Sequence, residues 1–209
     1  DVTIRFIDLG TGCGVVGLAY LLLKRNICQG FGMDCNPELI AAAQNNTAKL
    51  GFSDRFALHT GELADTRFLE NLRMEASPVQ LVMANPPWRL VGSGRLPTTE
   101  ARRKALFGDK GTFPLFASAA SSLLEEDGRF ACIISPDRLQ DMLAALDGAG
   151  LTPYLLQYIH KQKTSPATFV LIEARKGAHA KPSVAEPIAL YGPERFFTLE
   201  SLAFCPFLR

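Results

Sequence analysis

The sequence predicts an α/β fold on a mostly parallel central sheet, with helices on both faces and an antiparallel hairpin near the C-terminus. Three observations carry that expectation. Short apolar or β-branched runs alternate with longer helical patterns through the first half of the chain, as strand-helix-strand units do. A glycine-rich turn, Gly10 to Gly17, separates the first run from the first helical pattern. Two late strand-like runs are joined by Lys161 to Pro166, a link too short for a crossover helix, so these two pair antiparallel.

Taken in order, Thr3 to Leu9 reads as a strand, Val15 to Arg25 as a helix rich in Leu and Ala, and Gln29 to Asp34 as a second strand. Pro37 suits the first position of a helix over Glu38 to Leu50, where Ala41, Ala42 and Ala43 favour helix and Gly51 supplies a left-handed cap. Arg55 to Thr60 is the third strand and Val79 to Ala84 the fourth. A helix over Phe113 to Glu125 leads into a fifth strand, Arg129 to Ser135, and another helix covers Asp137 to Ala149. Pro153 to His160 and Ala167 to Glu173 form the hairpin. Lys176 to Pro187 is rich in turn residues, and from Ile188 a short strand and a terminal helix are expected. No repeat, low-complexity tract or flexible linker divides the chain, so one domain is expected over residues 1–209.

Composition removes several classes of function. With 47% hydrophobic and 21% charged residues the chain is neither disordered nor fibrous, and its length suffices to bury a sizeable core. Cys13, Cys28, Cys35, Cys132 and Cys205 are odd in number and include no Cys-x-x-Cys pair, which predicts reduced thiols, a cytoplasmic setting and no zinc site. The longest apolar run, Gly14 to Leu23, is about half of what a bilayer crossing needs, and Asp1 opens no basic and apolar leader, so neither a membrane span nor export is expected. His59, His160 and His179 have no partners at metal-ligand spacing. A net charge of +1 excludes coating of nucleic acid by bulk charge. The local exception runs from Arg89 to Lys110, where Arg89, Arg95, Arg102, Arg103, Lys104 and Lys110 face only Glu100 and Asp109; taken alone, this is a solvated basic loop.

The glycine turn, Asp8-Leu9-Gly10-Thr11-Gly12-Cys13-Gly14-Val15-Val16-Gly17, parses in two ways. Gly12-x-Gly14-x-x-Gly17 matches the dinucleotide fingerprint, with Asp34 near the spacing of a ribose-binding acid, and implies NAD. Asp8-x-Gly10-x-Gly12-x-Gly14 instead makes the acid that closes the strand part of the signal. A pyrophosphate over the loop would meet Asp8 as a like charge, whereas the ammonium and sulfonium of S-adenosylmethionine are cations that favour it. Asp34 suits either nucleoside.

Asn85-Pro86-Pro87-Trp88 stands at the end of the fourth strand, the edge of an open parallel sheet where ligands bind. A strand terminator requires prolines but neither the Asn nor the aromatic. An amino group on a flat ring or in an amide has a delocalised lone pair and is a poor nucleophile. The Asn85 side-chain oxygen and the Pro86 carbonyl are two acceptors for its hydrogens, which localises the lone pair and aims it. Consecutive prolines add no N–H and hold the backbone extended. Trp88 gives a base a face to stack on, worth ~1–3 kcal/mol. Neither a metal nor a strong base is required, because alignment alone can supply ~7–11 kcal/mol of the barrier.

On these motifs and their order, with Glu62 after the third strand, the chain resembles the class I S-adenosylmethionine-dependent methyltransferases of the Asn-Pro-Pro-aromatic type. Within them it is most similar to the bacterial tRNA (adenine-N(6))-methyltransferases that modify the adenine next to the anticodon of a valine tRNA. The likeness extends to Gly92-Ser93-Gly94, Ala101-Arg102-Arg103-Lys104-Ala105, Leu123 to Phe130, Ser135-Pro136-Asp137-Arg138-Leu139 and Leu190-Tyr191-Gly192-Pro193. Trp88 replaces the usual Tyr, and Lys104 or Ala105 an acidic residue.

The resemblance implies a Rossmann-like class I methyltransferase fold and S-adenosylmethionine as cofactor. Asp8, Gly10, Thr11, Gly12 and Gly14 would surround its methionine part, Asp34 with adjacent Cys35 its ribose, and Glu62 with Leu63 its adenine. Asn85, Pro86, Pro87 and Trp88 would hold the target amino group. Arg89, Arg95, Arg102, Arg103 and Lys104 would meet tRNA phosphates, and an anticodon-loop base, already unpaired, is easily flipped. The family carries an N-terminal segment over the cofactor, so a preceding segment is expected in the full protein. Three alternatives remain: a release-factor glutamine or rRNA guanine methyltransferase with the same acceptor motif, an NAD-dependent oxidoreductase, and a non-catalytic RNA-binding module. Cys13 and Cys35 are given no chemistry beyond packing, Lys161 and Lys163 are read as solvated with RNA contact as the lesser alternative, and Phe196 and Phe197 as core or interface rather than base-stacking.

Overall fold

The computed structural model describes residues 4–24, 28–87, 89–90, 107–108, 110–177, 181–194 and 196–204. Thr3, Arg25, Trp88, Gly92 to Gly94, Arg95, Ala101 to Ala105, His179 and Cys205 lie outside the described residues, so the readings that fall on them have no structural counterpart here. Of Arg89 only the backbone is described.

Strands β1 (Ile4–Leu9), β2 (Cys28–Asp34) and β3 (Phe56–Thr60) alternate with helices α1 (Val15–Lys24) and α2 (Pro37–Lys49). Helix α3 (Thr66–Ala76) leads to β4 (Leu81–Ala84), followed by the two-residue strands β5 (Arg89–Leu90) and β6 (Phe107–Gly108), which pair only with each other among the described residues. Then come α4 (Thr112–Leu123), β7 (Arg129–Ile134), a 3-10 turn over Pro136–Arg138, and α5 (Leu139–Gly148). The chain closes with β8 (Leu151–Gln162), β9 (Ala167–Lys176), β10 (Ser183–Val184), β11 (Ile188–Tyr191) and α6 (Leu199–Phe204).

The main sheet runs β3-β2-β1-β4-β7-β9-β8, with β10 and β11 both on the outer edge of β8. Pairings through β7 are parallel, and β9 enters antiparallel between β7 and β8. Two antiparallel steps restore the direction, so β8, β10 and β11 point the same way as β4. The expected hairpin is present and longer than predicted: its ladder takes in Leu151, and the register shift between Pro153 and Leu155 accommodates a residue without an N–H.

Alternation along β1 divides the core. Ile7 and Leu9 face the larger cluster, with Leu69 and Leu72 of α3, Phe113 and Phe116 of α4, and Met142 and Leu146 of α5. Phe6 faces the opposite side, with Leu18 and Leu21 of α1 and Phe56 of β3. Helices thus lie on both faces, as predicted. Sequence reading passed over α3, whose polar surface hides a narrow seam of Leu69, Leu72 and Ala76. The start signal is present: the Asp65 carboxylate accepts the Phe68 N–H at 3.0 Å. Strand β4 begins two residues later than expected, and the helix predicted from Asp137 opens as the 3-10 turn.

Candidate active site

The strand order reverses between β1 and β4, and the carboxyl ends of these strands form the crevice of an open α/β sheet. Leu9 pairs with Met33 on one side and Ala84 on the other, so Gly10 is flanked by the end of β2 at Asp34 and the end of β4 at Asn85. Asp34 in turn pairs with Thr60, and the Gly61 N–H donates to the Asp34 carbonyl at 3.1 Å, which sets Glu62 and Leu63 beside Asp34. The fold therefore brings the described predicted positions to one edge: Asp8 to Gly14, Asp34, Cys35, Glu62, Leu63 and Asn85 to Pro87.

Gly10, Gly12 and Gly14 all have positive φ, at 67°, 56° and 87°, a conformation that L side chains rarely adopt. Nothing lies within 4 Å of where a Cβ on Gly12 would stand, so bare backbone faces the crevice there. The loop is fastened from both ends. Asp8 is 1% exposed, and its Oδ2 accepts the Thr11 hydroxyl at 2.7 Å and the Gly17 N–H at 3.0 Å. The Thr11 N–H reaches the Met33 carbonyl at 2.9 Å. Asp8 thus lies inside the loop rather than on the crevice wall. Burial pushes its carboxyl up to about 6, the Thr11 and Gly17 donors pull it down in part, and Asp34 adds to the rise.

Asp34 is half-buried. Its Oδ2 accepts the Gly12 N–H at 3.0 Å and its Oδ1 the Asn36 N–H at 2.9 Å, so one carboxylate ties the glycine loop to the start of α2. Each oxygen keeps a second lone pair for a hydroxyl donor. Cys35 and Glu62 are exposed, and Leu63 packs in part against the main core.

Asn85 is exposed and Pro86 buried, so the ring anchors the segment while the amide faces outward. No hydrogen bond among the described residues engages the Asn85 side chain. A groove of about 300 Å³ starts at Asn85 and runs over the sheet, lined by Met83, Ile133, Leu155, Leu171 and Glu173. Its lining includes Asn85 but none of the loop glycines, so it adjoins the site on the acceptor side.

Two features escaped sequence reading. The Phe116 ring of α4 lies against Gly10, 3.4 Å from where a Cβ would stand; its only signal was its place one turn after Phe113. Arg138, 4% exposed after β7, stacks its guanidinium 4.5 Å from the Phe113 ring centre and donates to Asp141 at 2.7 Å. Among the described residues no three His, Cys, Asp or Glu side chains are placed to hold a metal ion, and no helix is long and apolar enough to cross a membrane.

The chain is 31% identical over 140 residues to a tRNA1(Val) (adenine(37)-N6)-methyltransferase of Porphyromonas gingivalis, a match covering 65% of this chain and 51% of that protein. It is 29% identical over 155 residues to the release factor glutamine methyltransferase of Caulobacter vibrioides, covering 70% of this chain and 50% of that one. The chain thus spans about half the length of the curated relatives it matches. No family model matches it. Among solved structures, a predicted O-methyltransferase from Agrobacterium tumefaciens superposes with a TM-score of 0.73 at 21% identity, over 98% of this chain and 88% of that one. TrmN from Thermus thermophilus gives a TM-score of 0.55 at 16% identity, over 84% and 44%. The fold is that of the class I methyltransferases.

Proposed function

We propose that this chain is the catalytic domain of an S-adenosylmethionine-dependent N-methyltransferase acting on the exocyclic amino nitrogen of adenine in tRNA. The observation that carries this reading is the pairing of Leu9 with Ala84, which sets a bare glycine loop directly beside an exposed Asn held by Pro86. The valine-tRNA methyltransferase relative supports the substrate.

The residues fit the cofactor. The open side of Gly12 admits the methionine part, Asp34 accepts from ribose hydroxyls, and Glu62 with Leu63 borders the adenine. When bound, S-adenosylmethionine supplies an electrophilic methyl group. Asn85 and the Pro86 carbonyl accept the two amino hydrogens of the target, so its lone pair turns out of the ring plane. The new N–C bond forms as the sulfur–methyl bond breaks, leaving S-adenosylhomocysteine; the nitrogen then gives up one of these protons, which an exposed site can pass to water. Trp88 is assigned the stacking face, and Arg89, Arg95, Arg102, Arg103 and Lys104 the phosphates. Modification of tRNA places the work in the cytoplasm.

The release-factor relative favours a second reading, in which the same acceptors hold a glutamine amide. One assay separates the two. Full-length protein, methyl-labelled S-adenosylmethionine, total tRNA and release factor are incubated together, and the label is located. The first reading expects it in tRNA as N6-methyladenosine. Label in the protein alone moves the assignment to the glutamine enzymes.

A further inference from the structure

The sheet continues past β7, and its far end rises above the candidate site. Ala84, Cys132, Ile172 and Leu156 share one register level across β4, β7, β9 and β8. The end of β8 therefore lies three strand spacings, about 15 Å, to one side of Asn85. Lys161 stands five residues beyond Leu156, about 16 Å further along the strand direction. Strand β11 pairs parallel with β8 up to Tyr191 opposite Gln162, so the turn after β11 emerges at the same height. The tip of the β8–β9 hairpin and the Gly192–Phe197 turn thus form a wall beside the crevice.

That wall is stiff. The Ser165 hydroxyl donates to the Gln162 carbonyl at 2.8 Å and accepts the Gln162 N–H at 3.0 Å. His160 Nδ1 lies 2.7 Å from the Ser165 carbonyl, so this nitrogen carries the proton. Gln162 Nε2 donates to the Gly192 carbonyl at 3.2 Å and joins the two turns. The second turn is closed by the Gly192 N–H on the Phe196 carbonyl at 2.9 Å and by the Tyr191 and Phe197 rings, stacked at 5.0 Å. On this fixed backbone Phe196 is 74% exposed, so of its two readings, core or interface, the core one falls. Lys161, Lys163 and Thr164 are exposed on the hairpin tip, and Glu194 on the neighbouring turn.

We propose that this wall is a second RNA contact, in which Phe196 stacks on an unpaired base and Lys161 and Lys163 meet phosphates of the same RNA, about 20 Å from the nucleotide held at Asn85. The proposal rests on the reading that the substrate is tRNA. A rigidly held, solvent-facing aromatic beside two lysines is what sequence-tolerant binding of unpaired RNA uses. A folded stem and loop spans the distance from Asn85 to the wall, and an exposed aromatic ring beside two lysines suits its unpaired bases and its phosphates.

The test is binding of labelled tRNA to full-length protein across a salt series, with S-adenosylmethionine affinity measured alongside. Phe196→Ala is expected to weaken tRNA binding roughly five- to a hundredfold, and Phe196→Trp to retain it. Lys161→Ala with Lys163→Ala should lower the slope of log K against log salt by about 1.4. Cofactor affinity should stay unchanged in all three. Wild-type tRNA binding that every variant matches overturns the contact alone. A wild-type protein that binds no tRNA overturns both the contact and the substrate reading. If Phe196→Ala loses transfer to release factor while tRNA binding is intact, the wall serves a protein substrate and the RNA contact is wrong.

Discussion

Asp8 is where burial and hydrogen bonding oppose each other most sharply. Its carboxylate is removed from water, which favours the neutral acid, while the Thr11 hydroxyl and Gly17 N–H favour the charged form; burial wins and the group titrates at about 6. An acid whose pKa is higher folded than unfolded binds more protons when folded, so its contribution turns more favourable as pH falls from about 6 toward 4 and less favourable above 6. Asp8→Asn removes the titration but keeps one acceptor. The unfolding free energy of the variant minus that of wild type should therefore rise with pH between 4 and 6, measured by denaturant titration at several pH values. An unchanged slope would mean that Asp8 titrates normally. The position also refines the charge argument drawn from sequence: Asp8 is buried in the loop it fastens rather than on the crevice wall, and Asp34 is the acid that the proposed reading assigns to the ribose.

At the scale of the element, legibility follows the strength of the local signal. The loop from Gly10 to Gly14 was readable because glycines in a positive-φ turn between strand and helix leave few alternatives. Asn85-Pro86-Pro87 was readable because its residue types do more than end a strand. Helix α3 was missed because it is polar overall and buries only one narrow seam, so its apolar residues, though well segregated to one face, do not stand out as an apolar run. Its stability leans on its ends. Removing the cap with Asp65→Ala should cost ~1 kcal/mol in thermal or denaturant unfolding. A variant as stable as wild type would show that packing of Leu69 and Leu72 suffices without the cap. Phe116 and Arg138 illustrate a second limit: each was visible as a residue, but its neighbour at the site comes from a distant strand or helix that no local pattern specifies.

Across the whole molecule, function depends on a reversal of strand order. Strands β1 and β2 deliver the glycine loop and Asp34, β4 delivers Asn85, and only the β1–β4 pairing makes them neighbours. Sequence reading gave the parallel sheet and the late hairpin, but not that β9 enters between β7 and β8, because pairing order in a sheet is a long-range property. That insertion aims β8 and β11 along the direction of β4 and raises Lys161 and Phe196 beside the crevice. If the loop and Asn85 form one methyl-transfer site, as proposed, the loop binds the cofactor and Asn85 acts on transfer. Single-turnover transfer by Asn85→Ala, measured alongside S-adenosylmethionine affinity, separates the two duties. The expected result is a loss on the order of a hundredfold in the transfer rate with cofactor affinity nearly unchanged. Transfer at the wild-type rate would contradict it.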